Sequence, residues 1–336
     1  MPRSTTAPAP SAVASGAGTR RPAAGRRRRR VRPLWTLAGL FALGVVATWL
    51  SSRRIHPMEE WEGFLDEEEL PPRGREPFPS TPLAVAGPAG TLHVEDGGSG
   101  GPPVLFVHGL GGSAGQWSAQ LAHLRPNVRA LALDLRGHGR STPSAAGAYG
   151  VADLASDVSA VADELGLERF VLVGHSLGGS VAIEAARREG AERIAGLVLV
   201  DPNGDQTKIP RDELDAFLAS LRAAPVDEMR WYFKQVLAGA AAGVAERVLA
   251  DLEAAPPEAL VAALASSFDY SPSAALADYE GPVLSVISDM NTLPYSLHEL
   301  DPDLPVRPIP GTSHWLMLDR PEELNRILDG FLAKLV

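Results

Sequence analysis

Ser176 stands in Gly174-His175-Ser176-Leu177-Gly178, directly after the apolar run 170–173. A serine hydroxyl attacks a carbonyl only when a neighbouring base takes its proton. His314, in Gly311-Thr312-Ser313-His314-Trp315 near the C-terminus, is the candidate base. A carboxylate is then needed to fix the imidazole tautomer and stabilise the imidazolium, and Asp201 and Asp289 are the candidates. Backbone N–H groups complete such a site by holding the developing oxyanion. Leu177, next to the serine, and Leu110, in His108-Gly109-Leu110-Gly111-Gly112-Ser113, are placed to provide them. This set of residues could transfer an acyl group to water.

The surrounding elements have the order that this chemistry needs. Residues 170–173 alternate too little for a half-exposed strand and read as a buried parallel one. Ser180–Arg188 is Ala-rich and permits a helix, and the flanking glycines allow the tight turn in which a Cβ would collide. Strand, turn and helix around G-x-S-x-G form a nucleophile elbow. A second strand, Val104–Val107, leads into the Gly-rich turn at His108. A third, Val128–Leu133, leads into Asp134-Leu135-Arg136-Gly137-His138-Gly139-Arg140-Ser141, and the helix Pro321–Leu335 follows His314. Together these segments resemble the α/β-hydrolase superfamily over residues 83–336. The resemblance implies a mostly parallel eight-stranded sheet with helices on both faces, a small helical cap and a Ser–His–acid triad.

The acid departs from the family's pattern. Its usual place is a few residues after the penultimate strand, in G-x-x-D-x-x-x-P. Here Ser288-Asp289-Met290-Asn291-Thr292-Leu293-Pro294 puts Asn291 at the best-matching position. Asp289 serves if the loop is one residue shorter. Asp201, at the end of the strand Gly196–Val200, is the other choice, because some members, including certain haloalkane dehalogenases, carry their acid there. Asp205 is a weaker third. Between that strand and the next, Val283–Ser288, the chain is helical in pattern, with Asp212–Ala223, Val226–Ala241 and Ala245–Leu252 separated by Pro225, Gly243 and Pro256-Pro257. In the family an insertion here lies over the site as a cap. Phe217, Trp231, Tyr232, Phe233 and Leu237 are candidates for its ceiling, although for each one taken singly ordinary cap core is the favoured reading.

Other motifs read as structural. His108 and His175 adjoin the site as braces, and His138 belongs to a turn fixed through Arg136. No histidine pair has metal-ligand spacing, so no metal and no cofactor is expected. Gly97-Gly98-Ser99-Gly100-Gly101 lacks the Lys-Ser/Thr of a phosphate loop and reads as a hairpin connection between the first strands. With no cysteine in 336 residues, disulfides and thiol catalysis are excluded.

The net charge of −10 is the sum of two opposite segments: residues 1–54 carry +11 and the remainder −21. Residues 1–33 are a basic stretch expected to be disordered. Residues 34–50 carry no charge and are bracketed by Trp35 and Trp49, which suits a short transmembrane helix. Because Arg26–Arg30 precedes this span, the positive-inside rule puts the N-terminus in the cytoplasm and the catalytic domain outside. The alternatives are a cleaved signal and a basic tail that binds anionic lipid or nucleic acid. Residues 51–82 form an acidic, Pro-rich linker. The core is expected over 83–201 and 281–336, with the cap over 202–280. The expected function is that of a membrane-anchored serine hydrolase of a hydrophobic ester or related acyl compound, with no nucleic-acid partner and an open oligomeric state. The rival is an inactive binding or scaffold protein on the same fold, motivated by Asn291.

Overall fold

The computed structural model describes residues 80–335. The expected basic segment, the transmembrane helix over 34–50 and nearly all of the linker lie outside these residues. Among the described residues no helix is long and apolar enough to cross a membrane. The first strand begins at Thr81, inside the segment expected to be linker.

Eight strands form one sheet in the order β1-β2-β4-β3-β5-β6-β7-β8. They are β1 (Thr81–Gly87), β2 (Gly90–Gly97), β3 (Val104–Val107), β4 (Ala130–Asp134), β5 (Phe170–His175), β6 (Ile194–Val200), β7 (Val283–Ile287) and β8 (Val306–Pro308). β1 pairs antiparallel with β2, and β2 with β4; the other pairings are parallel. Every residue of β3, β4, β5 and β6 is buried. A parallel sheet buried on both faces has its crossover helices on both sides. Here they include α1 (Ser118–Leu124), α2 (Val151–Glu164) and α3 (Leu177–Arg193).

The Gly-rich stretch 97–101 differs from its expected role. β2 lies beside β4 and not β3, so this stretch carries the chain past β4. A Cβ on Gly98 would collide with the carbonyl oxygen of Val128. The β1–β2 hairpin instead turns between Gly87 and Gly90.

Parallel register brings four strand ends into line. Val107 pairs with Gly174, His175 with Val200, and Val200 with Val286. The residues that follow these ends, His108, Ser176, Asp201 and Ser288, therefore emerge side by side at the carboxyl edge, where α/β sheets hold their ligands.

Five α-helices separate β6 from β7: α4 (Arg211–Ala223), α5 (Pro225–Val236), α6 (Val244–Ala254), α7 (Pro257–Asp269) and α8 (Pro272–Leu276). Prolines open α5, α7 and α8 at their first turns, where a missing N–H costs nothing. This cap is tied down by side chains. Asp251 accepts hydrogen bonds from Ser113 Oγ at 3.1 Å and Gln116 Nε2 at 2.9 Å, and Arg247 donates to the Gly115 carbonyl. At its other end, Asp205 accepts from Thr207, Ser271 and Ser273. Asp205 is thus an anchor of the cap, remote from a triad role.

Candidate active site

Ser176 has φ +51° and ψ −118°, a strained backbone for a residue with a side chain. The strain persists because the neighbouring glycines pack without room for a Cβ. One on Gly174 would collide with the Gly178 carbonyl, and one on Gly178 with the carbonyl oxygens of Val107 and His108. The start of α3 is thereby pressed against the end of β3. This brings Leu177, at the first position of α3, beside the turn that carries Leu110. Gly109 is close-packed as well, since a Cβ there would lie 2.8 Å from His175 Nδ1 and 3.0 Å from the Ser176 Cβ.

Two buried histidines brace this arrangement. His108 Nε2 accepts from the Leu135 N–H at 3.0 Å, which makes its Nδ1 the donor to the Gly109 carbonyl at 2.7 Å. His175 Nε2 donates to the His314 carbonyl at 2.9 Å, while its Nδ1 is buried without a partner. Burial lowers the pKa of His108 to about 4 and that of His175 to about 3, so both are neutral braces. His138 is held near 3 for the same reason, with the adjacent His108 adding to the effect. Arg136 lies buried in a bidentate pair with Asp157, which fixes the turn after β4.

Of the two candidate carboxylates, Asp201 is the one that meets the imidazole. Its Oδ2 lies 2.6 Å from His314 Nδ1. The Ser288 N–H and hydroxyl each reach its carboxylate at 2.9 Å, and Asn291 Nδ2 donates to Oδ1 at 3.2 Å. Burial pushes the carboxyl pKa up, but the His314 hydrogen bond and charge and the Ser288 donors outweigh it and hold Asp201 below the usual range. Asp201 has φ +43°, so the chain turns sharply as it leaves β6. Asp289 is exposed and accepts from the Gly311 N–H at 2.8 Å. It steadies the loop before His314 and does not meet the imidazole, because the chain after β7 turns it outward and Asn291 inward. Asn291 also donates to the Pro202 carbonyl at 2.9 Å. The position where the family usually carries its acid therefore holds a donor to the Asp201 carboxylate.

Ser176 and His314 line one cleft of about 390 Å³ with Leu110, Leu177, Asn203, Tyr232, Phe233, Val236, Leu264 and Trp315. The Ser176 hydroxyl donates to Asn203 Oδ1 at 3.2 Å. Asn203 escaped sequence reasoning, and its one signal was its place two residues beyond Asp201. Of the proposed ceiling residues, Tyr232 and Phe233 reach the cleft. Phe217 packs on Tyr232 and Phe268, and Leu237 is buried. Among the described residues, no three His, Cys, Asp or Glu side chains are grouped to hold a metal ion.

The sequence profile of the alpha/beta hydrolase family matches residues 104–327. The chain belongs to that family. It is 28% identical over 267 residues to an sn-1-specific diacylglycerol lipase of Mus musculus, covering 71% of this α/β-hydrolase and 83% of the lipase. It is 41% identical over 107 residues, 32% of its length, to the dihydrolipoyllysine-residue acetyltransferase component of an acetoin cleaving system of Cupriavidus necator. The chain spans only 28% of that protein, and half of a Variovorax paradoxus relative that it matches at 43% identity over 138 residues. Among solved structures, a thermophilic esterase from Thermogutta terrifontis superimposes with a TM-score of 0.64 at 25% identity, covering 76% of this chain and 99% of the esterase.

Proposed function

We propose that this α/β-hydrolase cleaves carboxylic esters through a serine acyl-enzyme. The observation that carries the reading is the 2.6 Å contact of His314 Nδ1 with the buried Asp201, in a cleft shared with Ser176. In the reaction Ser176 Oγ turns from Asn203 to His314, loses its proton to Nε2 and attacks the ester carbonyl. The N–H groups of Leu110 and Leu177 hold the oxyanion. The imidazolium, stabilised by Asp201, then protonates the departing alcohol. Water, activated by His314, releases the acid. The lipase and esterase names of relatives support an ester substrate, and the apolar walls support a hydrophobic acyl chain.

The reading includes a membrane tether at residues 34–50, supported by the uncharged span and the basic run before it. Deletion of residues 1–54 is expected to move the protein from the membrane to the soluble fraction. The inactive-scaffold reading rested on Asn291 at the usual acid position, and the hydrogen bond from Asn291 to Asp201 favours the active reading instead.

The test is hydrolysis of p-nitrophenyl esters from acetate to palmitate by the full chain, with fluorophosphonate labelling alongside. Turnover and labelling that both vanish in Ser176→Ala are the expected result. Absence of both in the wild type would overturn the reading.

A further inference from the structure

A second cavity, of about 440 Å³, adjoins the first and shares Asn203, Tyr232, Val236 and His314 with it. The two lobes differ in chemistry. The first holds Ser176 and both oxyanion-hole candidates among mainly apolar side chains. The second lacks these and is lined by Asn203, Gln206, Tyr232, Asn291, Tyr295 and Ser296, together with Asp201 and a few apolar residues. Its hydrogen-bonding capacity is not used up internally. The Tyr295 hydroxyl is buried and has no partner, which costs free energy unless something enters to meet it. Burial raises the pKa of Tyr295 and takes that of Tyr232 to about 12, so both phenols are neutral donors and acceptors. No lysine or arginine lines this lobe, and Asp201 supplies negative charge.

Resting on the ester-hydrolase reading above, we infer that the polar lobe is the leaving-group subsite and takes a neutral alcohol bearing further hydroxyl groups. The direction of the reaction fixes which half of the ester enters it. The imidazole that receives the Ser176 proton must return one to the departing oxygen, so the alcohol leaves on the His314 side. His314 borders both lobes; Ser176 lines only the apolar one and Asp201 only the polar one. The acyl chain then lies in the apolar lobe beside Leu110 and Leu177. The net step is ester plus water to acid plus alcohol: the alkoxide takes its proton from His314, and water supplies the hydroxyl of the acid. An alcohol bearing a carboxylate or phosphate meets no cation in the lobe and is repelled by Asp201.

The experiment compares glyceryl monobutyrate, butyl butyrate and O-butyrylglycolate as substrates of the full-length wild type and Tyr295→Phe. Comparing the two enzymes on each ester removes the intrinsic reactivity of its leaving group. For glyceryl monobutyrate, Tyr295→Phe is expected to lower kcat/KM about fivefold, the effect of one hydrogen bond. Butyl butyrate should change less than twofold, which also shows that the variant is folded. O-butyrylglycolate should be the poorest substrate of both enzymes. Equal effects of the variant on the glyceryl and butyl esters, or efficient cleavage of the glycolate ester, would overturn the leaving-group assignment while leaving ester hydrolysis in place. If the wild type cleaves none of the three and takes up no fluorophosphonate, the hydrolase reading falls and this inference falls with it.

Discussion

The Ser176 side and the Asp201 side of the site are held by different physics. Around Ser176 the geometry is set by backbone: Gly174 and Gly178 are placed where a single carbon would collide with main-chain carbonyl oxygens, which cannot swing away. Around Asp201 it is set by side chains, with Ser288, Asn291 and His314 each donating to the carboxylate. A backbone-determined site fails as a unit when one atom is added. A side-chain-determined site degrades in steps as donors are removed, and it can be rebuilt on different strands. That accounts for a serine whose surroundings follow the family pattern beside a carboxylate, Asp201, that meets His314 from a different strand end.

The largest break of this contrast is Asp201→Asn. It is nearly isosteric and should leave the fold intact while misorienting His314, lowering kcat by about 10⁴-fold, the loss that this substitution causes in a serine triad. Asp289→Asn, the control, removes only an exposed contact to Gly311 and should change kcat by less than about twofold. Ester kinetics with both variants checks this, and equal losses would mean that the acid is not Asp201.

Next in size is Gly178→Ala. The added methyl would displace either α3 or the Val107–His108 turn, at a cost of about 3 kcal/mol. For a domain of this size that lowers the melting temperature by roughly 6–12 °C. Activity should fall with it, because the same carbonyls border the oxyanion turn. An unchanged melting temperature would show that the elbow is softer than its contacts imply.

The neutral histidines make the nucleophile side acid-sensitive. His108, His138 and His175 have folded pKa values of about 4, 3 and 3, all below the ordinary 6.5. The unfolded chain therefore binds protons that the folded chain does not, so stability falls as pH drops from about 6.5 towards about 3. Each histidine costs about 2 kcal/mol at pH 5. Urea midpoints at pH 7 and pH 5 check this, with His138→Gln expected to flatten the dependence. A pH-independent midpoint would contradict the buried neutral state.

The same contrast explains what could be read in the sequence. The elbow is local: Gly174 to Gly178, the strand before and the helix after are contiguous, so its pattern survives in one dimension. Asp201 is placed by partners 87 to 113 residues away, and the turn that sends Asp289 outward and Asn291 inward is held by the contacts of Ser288 and Asn291 with Asp201 and Pro202. No spacing rule separates Asp201 from Asp289 before that packing exists. Cap helices were visible where Pro225, Gly243 and Pro256-Pro257 punctuate them, but Pro257–Asp269 and Pro272–Leu276 were not assigned as helices. Asn203 was invisible because it touches the serine only after β6 has docked beside β5.

The smallest prediction separates holding the acid from being the acid. Asn291→Ala removes the donor to Asp201 Oδ1 and leaves the Ser288 and His314 contacts in place. Loss of one hydrogen bond to a charged group, about 1.5 kcal/mol, corresponds to a roughly tenfold fall in kcat/KM. With one donor fewer, the carboxylate is less favoured and the Asp201 pKa rises, so the acid limb of the pH–rate profile should move up. Asn291→Gln, which retains an amide that can reach the carboxylate, should recover part of both effects. A tenfold loss with an unmoved acid limb and no recovery in Asn291→Gln would instead trace the effect to the contact with Pro202. Asn291 would then support the turn after β6 rather than the charge of the acid.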